Sequence, residues 1–257
     1  MTDHPDFLRS TKGIFEPDPR SLGFDVLGEQ GFRAKTLEDQ HAAVAEITLH
    51  AGAPEAVVVK FETAKNLNLF SWFVYRFHSA ARSHAYECLE LALRIRFKDE
   101  LYAREERKRL ARYERERERN PDNVELYQPM DKEGFRPMLR KLLEYAIEVG
   151  ALKNENFSAW QTRTRMRARH RRDIEAIKKM EALSLTELEI DDSQFEITPE
   201  DRDHDYLVQV LDSVPVLRNH YAHGTSALDD KSLSTLRLVA EIVNQIFPET
   251  DPVEVSA

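Results

Sequence analysis

Apolar residues recur along most of this chain at steps of three and four, the period of helices packed on one side. The strongest stretch is Phe70, Phe73, Val74, Phe77, Ala81, Ala85, Cys88, Leu89, Ala92 and Ile95. A stripe so wide and aromatic predicts a buried helical face covered by further helices, with Trp72, Phe73 and Phe77 as core. A turn near His78 or Ser79 would split the stretch into two helices; one continuous helix is the alternative. Upstream, Pro5, Gly13, Pro17, Pro19, Gly23, Gly28 and Gly31 break residues 1–36 into an irregular arm. A short helix is predicted from Leu37 to His50 with Thr36 as N-cap. Gly52 to Pro54 then interrupt the chain, and Pro54 suits the first turn of the next helix.

Downstream, Lys98 to Arg119 is charged on every side, with Glu and Arg interleaved. Opposite charges three and four apart support an exposed helical extension, which Asn120-Pro121-Asp122 would end. A second amphipathic helix is predicted over Arg136 to Val149, with Leu139, Leu142, Leu143 and Ala146 inward. Residues 157–183 form another, basic all round in its first half, with Ile174, Ile177 and Met180 resuming an apolar stripe. The acidic stretch from Glu187 to Asp205 reads as a loop, with a small hairpin around Phe195 as an option. A helix from Pro199 or Glu200 to His223 then buries Leu207, Val210, Leu211, Val214 and Leu217, and Pro215 should kink it. The last helix covers Lys231 to Phe247, before a frayed tail.

These elements predict an all-α fold. Composition agrees: 41% hydrophobic and 32% charged residues with only 8 Gly and 11 Pro leave little turn chemistry for a β-rich fold. No apolar run approaches the roughly 20 residues that cross a bilayer. The first residues resemble no secretory signal, so the expected location is cytoplasmic, away from membranes. Cys88 is the only cysteine, which excludes an intramolecular disulfide, and its place on an apolar face predicts a packed thiol. The net charge of -9 argues mildly against a protein that coats nucleic acid nonspecifically.

One segment carries sharper chemistry: Leu217-Arg218-Asn219-His220-Tyr221-Ala222-His223-Gly224. The spacing Arg-x4-His is weak alone, since Arg165 and His170 also satisfy it. Context separates the two. Arg218 is followed at once by Asn219, the motif closes an amphipathic helix, Gly224 follows the histidine, and a final helix comes next. In this form the segment resembles the Arg-polar-x3-His signature of the HEPN superfamily. The resemblance implies an up-and-down helical bundle, here residues 54–247 with a charged insertion around 98–135. The arm at 1–53 and a tail at 248–257 would flank it. It also implies a homodimer with a composite site, acting as a ribonuclease without metal or other cofactor. Toxin–antitoxin and phage-defence systems use such domains, sometimes with an antitoxin or defence partner. Other members are inactive interaction modules.

The residues support this chemistry independently. An imidazole exchanges protons near neutral pH, and a guanidinium stays charged and matches phosphate oxygens. His223 would move a proton at the 2'-hydroxyl or at the leaving oxygen of RNA. Arg218 would stabilise charge on phosphorus, and the Asn219 amide would orient the imidazole or touch phosphate. The competing account is that Arg and His at a helix C-terminus merely interact with its dipole. His220 and His223 form a His-x2-His pair, without a third metal ligand at persuasive spacing. Glu87 and Glu90 could reach the motif and position Arg218, or lie at the surface. Arg163, Arg165, Arg167, Arg169, Arg171 and Arg172 are candidates for RNA-backbone contact. They equally suit a solvated face paired with the acidic stretch at 187–205.

Overall fold

The computed structural model describes residues 6–121, 125–191, 195–222 and 228–249. The expectations at Pro5, Asp122, Asp192 and in the tail beyond residue 249 lie outside the described residues.

Helix α1 (Leu37–Ala45) opens where the sequence places it. The Thr36 hydroxyl accepts the Asp39 amide and the Asp39 carboxylate accepts the Thr36 amide, so two N-terminal donors are satisfied reciprocally. It ends at Ala45, short of His50. Pro54 immediately precedes α2 (Glu55–Phe70), where a residue without an amide hydrogen loses no helical bond.

The link to α3 (Phe77–Arg119) occupies residues 71–76, a few positions before the expected turn, so His78 lies inside α3. That shift changes which aromatics are core. Counting a stripe through the turn carried one helical phase across a break. Phe70 and Phe77, which flank it, are partly exposed, while Trp72 and Tyr75 are buried. Ala81, Ala85, Cys88, Leu89 and Ala92 are fully buried as expected, but the buried line continues through Leu93, Phe97 and Leu101 and leaves Ile95 half-exposed. The Cys88 thiol donates to the Val57 carbonyl (3.4 Å), and burial pushes its pKa up to about 12.

Helix α3 is the axis of the fold. Helices α2, α4 (Leu139–Glu148), α7 (Tyr206–Ala222) and α8 (Ser232–Ile246) all pack on it, and α4 also touches α7. The four residues predicted to face inward from α4, Leu139, Leu142, Leu143 and Ala146, are all buried. Beyond Leu101 the helix leaves the core. There residues 125–135 run back along it: Glu106 accepts the Tyr127 hydroxyl (2.6 Å) and the Met130 amide (3.1 Å), and Tyr102 donates to the Met130 carbonyl (2.9 Å).

Helix α5 (Ser158–Leu183) packs at the side against the short α6 (Pro199–Arg202). Only Thr164 and Ala168 are buried on it. Ile174 and Ile177 are exposed, so the expected apolar stripe is not a buried face among the described residues. The single helix expected from Pro199 is two helices. Thr198 and Asp201 form a reciprocal cap for α6. The Asp205 carboxylate then accepts the amides of Leu207 and Val208, starting α7 afresh. Helix α7 stays continuous through Pro215 and buries Leu207, Val210 and Val214. Leu211 and Leu217 are only partly buried against the core.

The N-terminal arm is less irregular than its prolines and glycines suggest. Strands β1 (Asp25–Gly28) and β2 (Gly31–Ala34) pair antiparallel, Gly28 opposite Gly31. Gly31 has φ +112°, in the region that favours glycine. No strand appears around Phe195 among the described residues. The arm docks through Asp18, fully buried, whose amide donates to the Trp72 carbonyl (2.9 Å) and whose carboxylate accepts the Tyr75 amide (3.3 Å).

A polar network locks the α2–α3 turn against α1 and α8. The Ser71 hydroxyl donates to the Asn68 carbonyl (2.6 Å), so its oxygen is left to accept from Gln40 Nε2 (3.0 Å) and His78 Nε2 (3.1 Å). On the other side Ser232 Oγ accepts from Asn68 Nδ2 (2.6 Å) and meets His78 Nδ1 at 2.6 Å. This pattern fits one neutral tautomer, with the proton on Nε2 and Nδ1 accepting from Ser232. Burial lowers the His78 pKa to about 4, although Asp230 pulls the other way. Between about pH 4 and the unfolded value near 6.5, only the unfolded chain binds the proton. Stability should therefore fall on acidification, by on the order of 2 kcal/mol from pH 7.5 to 5 for this group. Urea unfolding of the wild type and His78→Gln at both pH values measures it: the variant should lose much of the slope, and an unchanged slope would refute the assignment.

Candidate functional site at the end of helix α7

Helix α7 presents two faces. Leu207, Val210 and Val214 hold one against the bundle, which turns the next inward position, Arg218, towards α3. There Arg218 Nε (3.0 Å) and a terminal guanidinium nitrogen (2.8 Å) both donate to Oε2 of Glu90. The second carboxylate oxygen, Oε1, accepts from Arg94 at 2.5 Å. Glu90 is only 7% exposed, whereas the Arg218 side chain keeps 30%. One buried carboxylate thus orients two cations, and one positive charge remains uncompensated within this trio. Such a guanidinium is pre-oriented and still open to an anion. Arg218 also meets the Asn219 amide oxygen at 3.3 Å, and Asn219 and His220 are exposed beside it.

Of the two glutamates considered from sequence, the structure brings Glu90 to the motif. Glu87 instead meets Lys60 at 2.8 Å near the surface. His223 and Gly224 lie outside the described residues, and so does the geometry of the His220–His223 pair. Among the described residues, no group of three or more His, Cys, Asp and Glu side chains is gathered to hold a metal.

A second cluster, not visible in the sequence, fixes the chain on either side of residues 223–227. The Tyr221 hydroxyl donates to Asp229 Oδ2 (2.8 Å), and Arg82 from α3 donates to both oxygens of the same carboxylate (2.6 Å each). The Arg82 guanidinium also lies 4.2 Å from the Tyr221 ring centroid, and Tyr86 stacks on that ring at 6.4 Å. Burial and the bond to Asp229 push the Tyr221 pKa up to about 12. Burial alone would raise Asp229, but the bonds from Tyr221, Arg82 and the Lys231 amide hold it below the usual carboxylate value. The only advance signal was Tyr221, an aromatic inside the motif, since Asp229 sits in a polar link without periodicity.

The basic face of α5 is largely engaged. Arg167 donates to the Asp203 carbonyl (2.7 Å), and Arg171 to the Glu196 carbonyl (2.7 Å) and Asp201 (3.0 Å). Arg172 reaches the Asp191 carbonyl (3.1 Å), and Arg169 lies over the Phe195 ring. Arg163 and Arg165 are exposed. The acidic stretch therefore engages the C-terminal part of the arginine run, through backbone carbonyls and the Asp201 carboxylate.

Glu90→Ala leaves Arg94 and Arg218 without their shared acceptor and should lower unfolding free energy by about 1–3 kcal/mol. Glu87→Ala removes an exposed pair and should stay within about 1 kcal/mol of wild type. Denaturant titration of both distinguishes them; equal losses would show that Glu90 has no special part in holding α7.

Comparison with protein-family models, with curated proteins and with solved structures returned no match for this chain. The functional reading therefore rests on the motif and on the groups that surround it.

Proposed function

We propose that this chain is a metal-independent endoribonuclease whose site is composed from two copies of the Arg218–His223 motif. The observation that carries the reading is the hold of Glu90 on Arg218. A buried carboxylate shared with Arg94 keeps the guanidinium fixed at the end of α7 and leaves net positive charge next to exposed Asn219 and His220. Fixed positive charge is what a phosphodiester needs as charge builds on its non-bridging oxygens.

In the proposed step the 2'-hydroxyl oxygen attacks phosphorus and its proton passes to an imidazole. The bond from phosphorus to the 5'-oxygen breaks, and that oxygen takes a proton from a second imidazole. The products are a 2',3'-cyclic phosphate and a 5'-hydroxyl, with no oxidant or other reactant consumed. One His223 cannot readily be both base and acid in a single step, so a two-fold pairing of chains supplies both. A role as a toxin or phage-defence effector would follow from the HEPN resemblance. The rival reading, a non-catalytic interaction module, draws on the same contact, because an ion pair between α3 and α7 also serves packing alone.

RNA cleavage by the purified protein, measured with and without chelator, tests the proposal. Arg218→Ala and His223→Ala should each lower the rate by about a hundredfold or more, whereas His170→Ala should leave it unchanged. A 2'-deoxy sugar at the cut site should block cleavage, and the active species should have a dimer's mass. Folded Arg218→Ala and His223→Ala proteins that cleave like wild type would sink the motif assignment. A folded wild-type dimer with no cleavage of mixed RNA would leave the interaction module standing.

A further inference from the structure

Helix α5 carries a feature that the charge pattern alone did not disclose. Near its start, beside α6, lies a cavity of about 630 Å³ bordered by Trp160, Thr164, Arg165 and Arg202, with Glu155 and Gln161 among its other lining residues. The volume lies in the range of small-ligand sites, roughly 300–1,000 Å³.

Trp160 is held rigidly. Its indole nitrogen donates to the His204 carbonyl (3.0 Å), and the His204 ring stacks on the indole at 5.2 Å with only 10° between planes. Thr164 is 3% exposed, yet its hydroxyl has no hydrogen-bond partner among the described residues. A buried hydroxyl without a partner is costly and uncommon. The neighbouring arginines differ from those further along the helix. Arg167, Arg171 and Arg172 are drawn into bonds with residues 191–203, whereas Arg165 and Arg202 are exposed at the cavity. One indole face is taken by His204. The surface of Trp160 that borders the cavity, two exposed guanidiniums and a spare hydroxyl make a chemical set that suits a nucleotide unit: aromatic surface for the base and cations for the phosphate.

We infer that this cavity holds one nucleotide of a single-stranded RNA, with its base on Trp160 and its phosphate between Arg165 and Arg202. The inference rests on the proposed function only in taking RNA as the ligand. Glu155 repels phosphate, which confines the phosphate to the arginine side, and it offers an acceptor to a base amino group. The strand, rather than a free nucleotide, is favoured by Arg163, exposed three residues after Trp160 and therefore its neighbour on the helix surface. None of the residues lining the cavity belongs to the motif or to the Glu90–Arg94 pair that holds Arg218, so the site is assigned to binding rather than bond cleavage.

The test is a titration with a 2'-O-methyl RNA hexamer, which cannot be cleaved, followed by tryptophan fluorescence and by anisotropy of a labelled strand. The chain has two tryptophans, and Trp72 is buried, so quenching would report on Trp160. Wild type should bind with quenching, and Arg165→Ala/Arg202→Ala should weaken binding about tenfold or more. Trp160→Leu should bind weakly and lose the quench. Because Trp160 also packs on His204 and its loss could disturb the fold, the arginine pair, exposed at the surface, provides the independent arm. No binding by wild type, or wild-type binding by the folded arginine variant, would overturn the site. Adenosine monophosphate binding as tightly as the hexamer would overturn the assignment to a strand. Hexamer binding with quenching in a protein that cleaves no RNA would keep the site and reject the nuclease. Cleavage and binding that survive the arginine change would do the reverse.

Discussion

A carboxylate taken out of water between two helices must be met by cations, and Glu90 is met by two. Arg94 comes from the next turn of the same helix and Arg218 from α7, so the ion pair is also the polar tie between the axis of the bundle and the helix that carries the motif. Removing water strengthens each of these bonds and raises the cost of leaving any of them unmade. The tie has neighbours that depend on it in space. Four residues N-terminal to Arg218, Val214 is sealed in the core, and three residues beyond it Tyr221 is held by Asp229 and Arg82. Arg218 is therefore fixed from both sides along α7 as well as from across the interface.

Most of the helices were legible because burial on one side imposes a period that sequence preserves. Leu139, Leu142, Leu143 and Ala146 are an example, and Thr36 with Asp39 is another, where a local hydrogen-bond pair marks the start of a helix. What was illegible had no such imprint. The strands at 25–28 and 31–34 lack a buried face, so no alternation betrays them. The exposure of Phe70 and Phe77 follows from a turn whose position is set by tertiary hydrogen bonds, from Gln40, His78 and Asp18, rather than by local breakers. The candidate site divides the same way. Arg218 is legible as part of the motif, and Glu90, like Glu87, as a carboxylate on another helix that could reach it; only the fold decides that Glu90 makes the contact. Asp229 and Arg82 are not legible, because a polar link and a cation on a core-facing helix give no advance sign of meeting.

Charge in this chain is arranged in blocks, and the blocks answer one another at short range. The arginines of α5 meet Asp201 and the carbonyls of Asp203, Glu196 and Asp191. Net charge over the whole chain says little about any one surface when acidic and basic stretches fold together. Among the described residues, Arg163 and Arg165 remain exposed at the start of α5, and Arg218 stays partly open beside the motif.

The length of α3 has a mechanical meaning. At 1.5 Å per residue its 43 residues span roughly 65 Å, and nothing breaks the helix between Glu90 in the core and Arg119 at the far end. Without a proline or a bulge a helix curves only gently and does not kink. Tilting the outer part by about 10° around Leu101, where it leaves the core, would sweep the far end through roughly 5 Å. A load on the outer end, or one that pries the strap at Tyr127 and Met130 away from Glu106, would bear first on the packing at Leu101, about three turns beyond Glu90.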